Sequence, residues 1–151
     1  WNSVMSTNCN SVFYAIREVT PIMIKQGYGR IINVSSSSAS LLPALRSSYA
    51  ASKAAVDAIT KTFAKEVARY GITVNSVAPG VVRTAMLHGS IARLAHATGR
   101  MMDQISDDLQ SRCAIGRFCE PEEVAQTITF LASRSMSAVT GAILEISGGL
   151  M

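Results

Sequence analysis

The phenol of Tyr49 and the ammonium of Lys53, four residues apart, carry the strongest chemical signal in the chain. In a helix that spacing puts both on one face, one turn from each other. An ammonium so placed favours a phenolate over a phenol. It therefore brings a tyrosine, with a reference pKa of about 10, closer to proton exchange at neutral pH. A general acid or base needs that property. The same spacing also arises on helix surfaces as a solvated pair, so Tyr49-Ala50-Ala51-Ser52-Lys53 must be judged with its neighbours.

The elements that must position this pair alternate along the chain. Residues 3–26 read as a helix: Val12, Ile16, Val19 and Met23 form an apolar stripe, Asn8 lies near its start, and Pro21 should bend it or free a carbonyl. After the turn Gly27-Tyr28-Gly29, residues 30–35 are apolar on both faces, as an interior parallel strand is. The serines Ser35–Ser38 follow at its C-terminal end, the edge where open α/β sheets bind ligands, though such a run is also a plain flexible loop. Ser47 or Ser48 is the expected N-cap of the next helix, about 49–70. Its stripe Val56, Ile59, Phe63 and Val67 faces a core, and Ala51, Ala54, Ala55 and Ala58 keep a second face small enough for another subunit. Gly71 ends it, and residues 72–78 alternate as a second strand stopped by Pro79-Gly80.

Residues 81–116 give two short amphipathic pieces split at Gly99, a pattern that suits a flap over a pocket or an ordinary surface helix pair. Glu120-Pro121-Glu122-Glu123 marks a helix start, with Pro at the first position and acids in the first turn. Val124, Ile128 and Leu131 should face inward from that helix. Residues 142–146 make a third strand, closed by Gly148-Gly149. This alternation predicts a single α/β domain, a parallel sheet with helices on both faces.

Composition narrows the function classes. The chain has 151 residues, 48% hydrophobic and 16% charged, which describes one folded, soluble domain. No apolar run approaches the ~18 residues of a membrane span and no leader opens the chain, so no membrane role is expected. The net charge of +4 is scattered, not striped, and nucleic acid is not an expected partner. Cys9, Cys113 and Cys119 lack any metal or redox spacing and read as free thiols in a reducing, cytoplasmic setting. With His88 and His96 the only histidines, no metal site is expected.

Taken together, these residues resemble the short-chain dehydrogenase/reductase family over nearly the whole chain. Tyr49-Ala50-Ala51-Ser52-Lys53 matches its Tyr-x-x-x-Lys, and Ser36 stands 13 residues earlier, at the family's serine position. Asn8, 28 residues before Ser36, matches the asparagine of the family's Asn-Ser-Tyr-Lys tetrad. Asn75 followed by Pro79-Gly80-Val81-Val82-Arg83-Thr84 resembles its Asn-x-x-x-Pro-Gly-x-x-x-Thr, and Glu120–Val124 and Thr140-Gly141 match two later features.

The resemblance implies the C-terminal part of a Rossmann-type, doubly wound sheet. It also implies hydride transfer between NAD or NADP and a small secondary alcohol or ketone. Tyr49 would then be the general acid or base. Lys53 would bind the nicotinamide ribose and bias Tyr49, Ser36 would hold the substrate oxygen, and Asn8 would hold a relay water. Pro79, Gly80, Val82 and Thr84, with Tyr49 and Lys53, would bind the cofactor. It further implies a homotetramer or homodimer built on the two long helices.

Two departures stand out. The family's Gly-rich loop after an opening strand, which seats the pyrophosphate, is absent, and Gly27-Tyr28-Gly29 precedes a strand instead. Ser147 stands where the family has Asp before Gly-Gly. The expectation is therefore a longer native protein, with about 100 further N-terminal residues in keeping with the fold's usual size. Without them, the strand at 30–35 would be an exposed edge. Two other readings remain. One is a non-catalytic fragment or pseudoenzyme acting as an association module. The other is a serine hydrolase, disfavoured because there is no Gly-x-Ser-x-Gly elbow and both histidines fall in the flap.

Overall fold

The computed structural model describes residues 1–150. The chain opens with one helical stretch in three parts: α1 (Asn2–Met5), a π turn (Ser6–Asn10) and α2 (Ser11–Gln26). α2 continues through Pro21, which has no amide to give, so the Arg17 carbonyl one turn back loses its helical donor. Gly27, in the left-handed region at φ 63°, ends the helix. β1 (Gly29–Val34) follows, then the short α3 (Ser38–Leu41) and the long α4 (Ser47–Val67), which tightens into a 3-10 turn at Ala68–Tyr70. β2 (Ile72–Pro79), α5 (Ala85–Thr98), α6 (Met102–Ser111), α7 (Pro121–Ala132) and β3 (Ile143–Ile146) complete the order.

The three strands are parallel, in the order β1-β2-β3, with Ile31 beside Val74 and Pro79 beside Ile146. Side chains of odd-numbered β1 residues turn toward α2 and α4. Asn33 Nδ2 donates to Thr60 Oγ1 of α4 at 2.8 Å, and Ile31 packs with Met23 and Phe63 on the cluster of Ala64, Val67, Ile72 and Val74. Arg30 points to the opposite face, where its guanidinium reaches the Ser133 and Arg134 carbonyls just past α7. Helices therefore cover both faces, and the α/β architecture read from the sequence is the one observed.

Three local readings change. The expected alternation along β2 gives way to burial of every residue from Ile72 to Ala78, because helices pack on both faces of this central strand. Neither Ser47 nor Ser48 caps α4. The helix already includes both, Arg46 occupies the cap without a side-chain hydrogen bond, and the Ala50 N–H bonds the Arg46 carbonyl at 2.8 Å. In α2 the stripe is only partly covered: Ile16 is buried, while Val19 is exposed beside the free edge of β1. That edge stands open as expected, and Val34 at its end is 48% exposed.

Candidate active site

The C-terminal ends of the strands gather most of the residues singled out by chemistry. β1 runs directly into Ser35 and Ser36, and the Ser37 N–H donates to the Pro79 carbonyl at 2.9 Å. That bond ties the serine loop to the end of β2. Gly80 N–H in turn donates to Ile146 O at 3.0 Å, bringing in the end of β3. A Cβ at Gly80 would stand 2.8 Å from the Ser147 Cα, so the backbones meet at a distance only glycine permits. Ser147, where the family pattern has Asp, is buried against this turn.

Ser36 is buried, and its Oγ accepts the Ser38 N–H at 3.2 Å. Its own hydroxyl proton is thereby left to donate. Tyr49 and Lys53 lie on α4, both partly buried, with the Lys53 Nζ 5.8 Å from the centre of the Tyr49 ring. The Tyr49 hydroxyl makes no hydrogen bond among the described residues. Burial pushes the Lys53 ammonium below its ordinary pKa, and the Asp57 carboxylate opposes this.

Lys53 Nζ donates to the Val34 carbonyl at 2.9 Å. Ser35 N–H bonds Val77 O across the sheet, so alternation turns the Val34 carbonyl to the free edge, and the lysine satisfies it.

Asn8 sits in the π turn, an insertion that redirects side chains and recurs at functional sites. Its Nδ2 donates to Ser52 Oγ at 3.1 Å, and Ser52 Oγ donates to the Tyr49 carbonyl at 2.7 Å. Asn8 is thus fastened to the turn of α4 that carries Tyr49. Sequence reasoning passed over Ser52 as a spacer within the motif. It is fully buried, on the inner side of an alanine-rich turn, and its hydroxyl at that place was the available signal.

Val82 and Thr84 lie where the chain leaves the sheet. Cys119 N–H bonds Val81 O at 3.0 Å and Arg83 N–H bonds Cys119 O at 2.9 Å, a parallel bridge that turns the amide and carbonyl of Val82 outward. Thr84 Oγ1 donates to the Val82 carbonyl and accepts the Leu87 N–H, capping α5. Asn75, a feature of the sequence match, is structural. Its side chain donates to Val139 O at 2.8 Å and accepts Ala142 N–H at 3.0 Å, while Thr140 Oγ1 accepts Val74 N–H.

An ammonium, an outward-facing backbone amide and a hydroxyl fit the hydroxyls of a ribose and a carboxamide. The residues present therefore suit the nicotinamide end of a dinucleotide. Among the described residues no Gly-rich strand-to-helix turn is present to seat a pyrophosphate. No group of three His, Cys, Asp or Glu among them is placed to hold a metal ion, and no helix is long and apolar enough to cross a membrane.

Comparison with known proteins identifies the family. The family model described as enoyl-(acyl carrier protein) reductase matches residues 1–151. The chain is 43% identical over 151 residues to the 3-oxoacyl-(acyl-carrier-protein) reductase of Thermotoga maritima, covering all of this chain and 57% of that one. It is 37% identical over 150 residues to the acetoacetyl-CoA reductase of Allochromatium vinosum, covering 56% of it. A crystal structure of an actinorhodin polyketide ketoreductase variant with NADPH superposes with a TM-score of 0.89 at 34% identity, over 95% of this chain and 56% of that one. The chain thus spans little more than half the length of these relatives, and with the whole of its described sequence matched it belongs to the short-chain dehydrogenase/reductase family.

Proposed function

We propose that this chain carries the proton-transfer and nicotinamide-contacting part of an NAD(P)-dependent oxidoreductase acting on a small secondary alcohol or ketone. One observation carries the reading. Asn8, Ser52 and the Tyr49 carbonyl form a continuous hydrogen-bonded line, and Lys53 lies one turn along the same helix at the sheet end that holds Ser36. In reduction Tyr49 gives its hydroxyl proton to the carbonyl oxygen as that oxygen gains charge, and in oxidation it takes the alcohol proton. Ser36 donates a hydrogen bond to the same oxygen and stabilises its developing charge. Lys53 holds the ribose hydroxyls and favours the phenolate by its charge. Asn8 orients a water that passes protons between Lys53 and solvent. The outward backbone of Val82, the Pro79-Gly80 turn and the Thr84 hydroxyl fix the carboxamide. The bound nicotinamide supplies or accepts the hydride.

Relatives named for reducing acetoacetyl-CoA and 3-oxoacyl groups make a 3-oxoacyl thioester the first ketone to try. We also take the protein to be cytoplasmic, in keeping with three free cysteines, and to form a homodimer or homotetramer through α2 and α4.

Tyr49→Phe in the protein that carries this chain should lower turnover of acetoacetyl-CoA by roughly 10²–10⁴-fold with folding intact. A fall of less than threefold removes Tyr49 from the chemistry. The second reading is an association module without catalysis. It is favoured by the open edge of β1. Titration of the protein that carries this chain with NADPH separates the two: saturable binding supports the enzyme, and its absence together with stable self-association supports the module.

A further inference from the structure

Ser52 is the residue at which the π turn and the Tyr49 turn of α4 meet. Its Oγ lies 2.7 Å from the Tyr49 carbonyl on its own helix and 3.1 Å from Asn8 Nδ2, which comes from 44 residues away. The two contacts are not interchangeable. A carbonyl oxygen only accepts, so the single proton of the Ser52 hydroxyl goes to Tyr49. Toward Asn8 the hydroxyl then offers lone pairs alone. An asparagine amide has a donating end and an accepting end of nearly the same shape, and only the donating end satisfies Ser52.

That choice fixes the other end of the amide. With Nδ2 held against α4, Asn8 Oδ1 is turned away from Ser52 and accepts no hydrogen bond among the described residues. Asn8 is half-buried and keeps contact with solvent. An accepting oxygen is thereby presented to water, and no other hydrogen bond among the described residues holds this side chain. With the amide turned over, two N–H donors would stand there instead, and Ser52 would face an oxygen for which it has no proton. Ser52 is itself fully buried. Removing its oxygen leaves less room than a water takes, so nothing stands in for the hydroxyl.

We propose that Ser52 is a positioning residue for the reaction. By committing its proton to the Tyr49 carbonyl it sets which way round the Asn8 amide stands, and so keeps an acceptor turned toward the relay water. The inference rests on the roles proposed above for Asn8 and Tyr49, but its first test needs no turnover.

That test follows the Asn8 side-chain amide by NMR in the protein that carries this chain, labelled with ¹⁵N-asparagine. Asn8→Ala identifies the signal by its loss. In Ser52→Ala the Asn8 Nδ2 protons should exchange with water roughly 3–10-fold faster than in wild type, the effect of losing one ordinary hydrogen bond. An unchanged rate overturns the proposal. Should Ser52→Ala fail to fold, wild type decides alone: the Asn8 protons must exchange more slowly than those of Asn10, which is exposed on the same π turn, and equal rates overturn it. Turnover of acetoacetyl-CoA with NADPH then separates positioning from packing. Ser52→Ala should lower kcat by roughly 3–10-fold with KM held within about twofold. In Asn8→Ala it should add no further loss, because both changes remove the same oriented oxygen. An unchanged kcat, or two losses that multiply, overturns the proposal. Failure here leaves the Tyr49→Phe prediction standing, and a Tyr49→Phe protein that keeps its turnover leaves the exchange comparison measurable.

Discussion

The corner built from β1 and α4 and the flap built from α5 and α6 are held together in opposite ways. In the corner, polar side chains bond across long stretches of sequence: Asn8 to Ser52, Asn33 to Thr60, Lys53 to the Val34 carbonyl. In the flap they bond within their own helical turns and in solvent: Ser90 to the Met86 carbonyl, Arg93 to Ser90, Thr98 to the Leu94 carbonyl. Single buried residues, Ile91 and Ile105, anchor the two flap helices. The end of the flap is tied down by Ile115 N–H to Gly148 O and Ala114 N–H to Gly149 O. The proton transfer proposed for Tyr49 would require fixed geometry, and the corner's tertiary bonds would supply it. The helix pair of the flap, bonded mostly within its own turns, has local stability only.

The comparison breaks first if the corner's frame can lose a tertiary bond cheaply. Asn75, on the central strand, holds the loop before β3 by two bonds and is almost completely buried. Asn75→Ala leaves the Ala142 N–H and the Val139 carbonyl without their partner. It should lower global stability by about 2–3 kcal/mol in urea unfolding. A loss below about 0.5 kcal/mol would mean that long-range bonds do not hold this half of the molecule more firmly than local ones hold the flap.

What could be read from the sequence follows the same division. The start of α7 was legible because its signals are contiguous: Pro121 takes the first position, and the Glu120 N–H donates to Glu123 Oε2 at 2.8 Å. The Tyr49 and Lys53 spacing was legible because one helix holds both. The full burial of β2 was not, since a strand cannot announce how many helices will cover it. The α4 start was misplaced because the chain enters from a tight loop where Leu42 and Leu45 both take positive φ, and no serine is needed at the cap. The π turn around Asn8 left no mark in the pattern of apolar residues. Ser52 was also hidden, because its importance lies in being buried beside the motif, and the motif's spacing says nothing of burial.

A smaller effect sharpens the contrast at the boundary between the two regions. Thr84 caps α5, with its Oγ1 accepting the Leu87 N–H at 3.3 Å. Thr84→Ala should cost about 1 kcal/mol, as loss of such a cap does. If the flap opens on its own, that cost appears as faster amide exchange across residues 85–98 while the urea midpoint stays in place. A matching drop in the global midpoint would show instead that flap and corner unfold together.

The smallest effect is expected at the exposed turn of the flap. Arg100 pairs with Asp108 across the turn between α5 and α6, and both side chains are open to water, at 45% and 63% exposure. In that setting solvent screens the attraction, and ordering two long side chains offsets much of what is left. Arg100→Ala should therefore change stability by less than about 0.5 kcal/mol, and added salt should make little difference to it. A loss above about 1 kcal/mol, erased by salt, would make the pair a clasp that fixes the turn after α5 onto α6. The helix pair would then be held by an ion pair, and any freedom of α5 relative to α6 would have to come from Gly99 alone, where φ is 70° and a side chain would be strained.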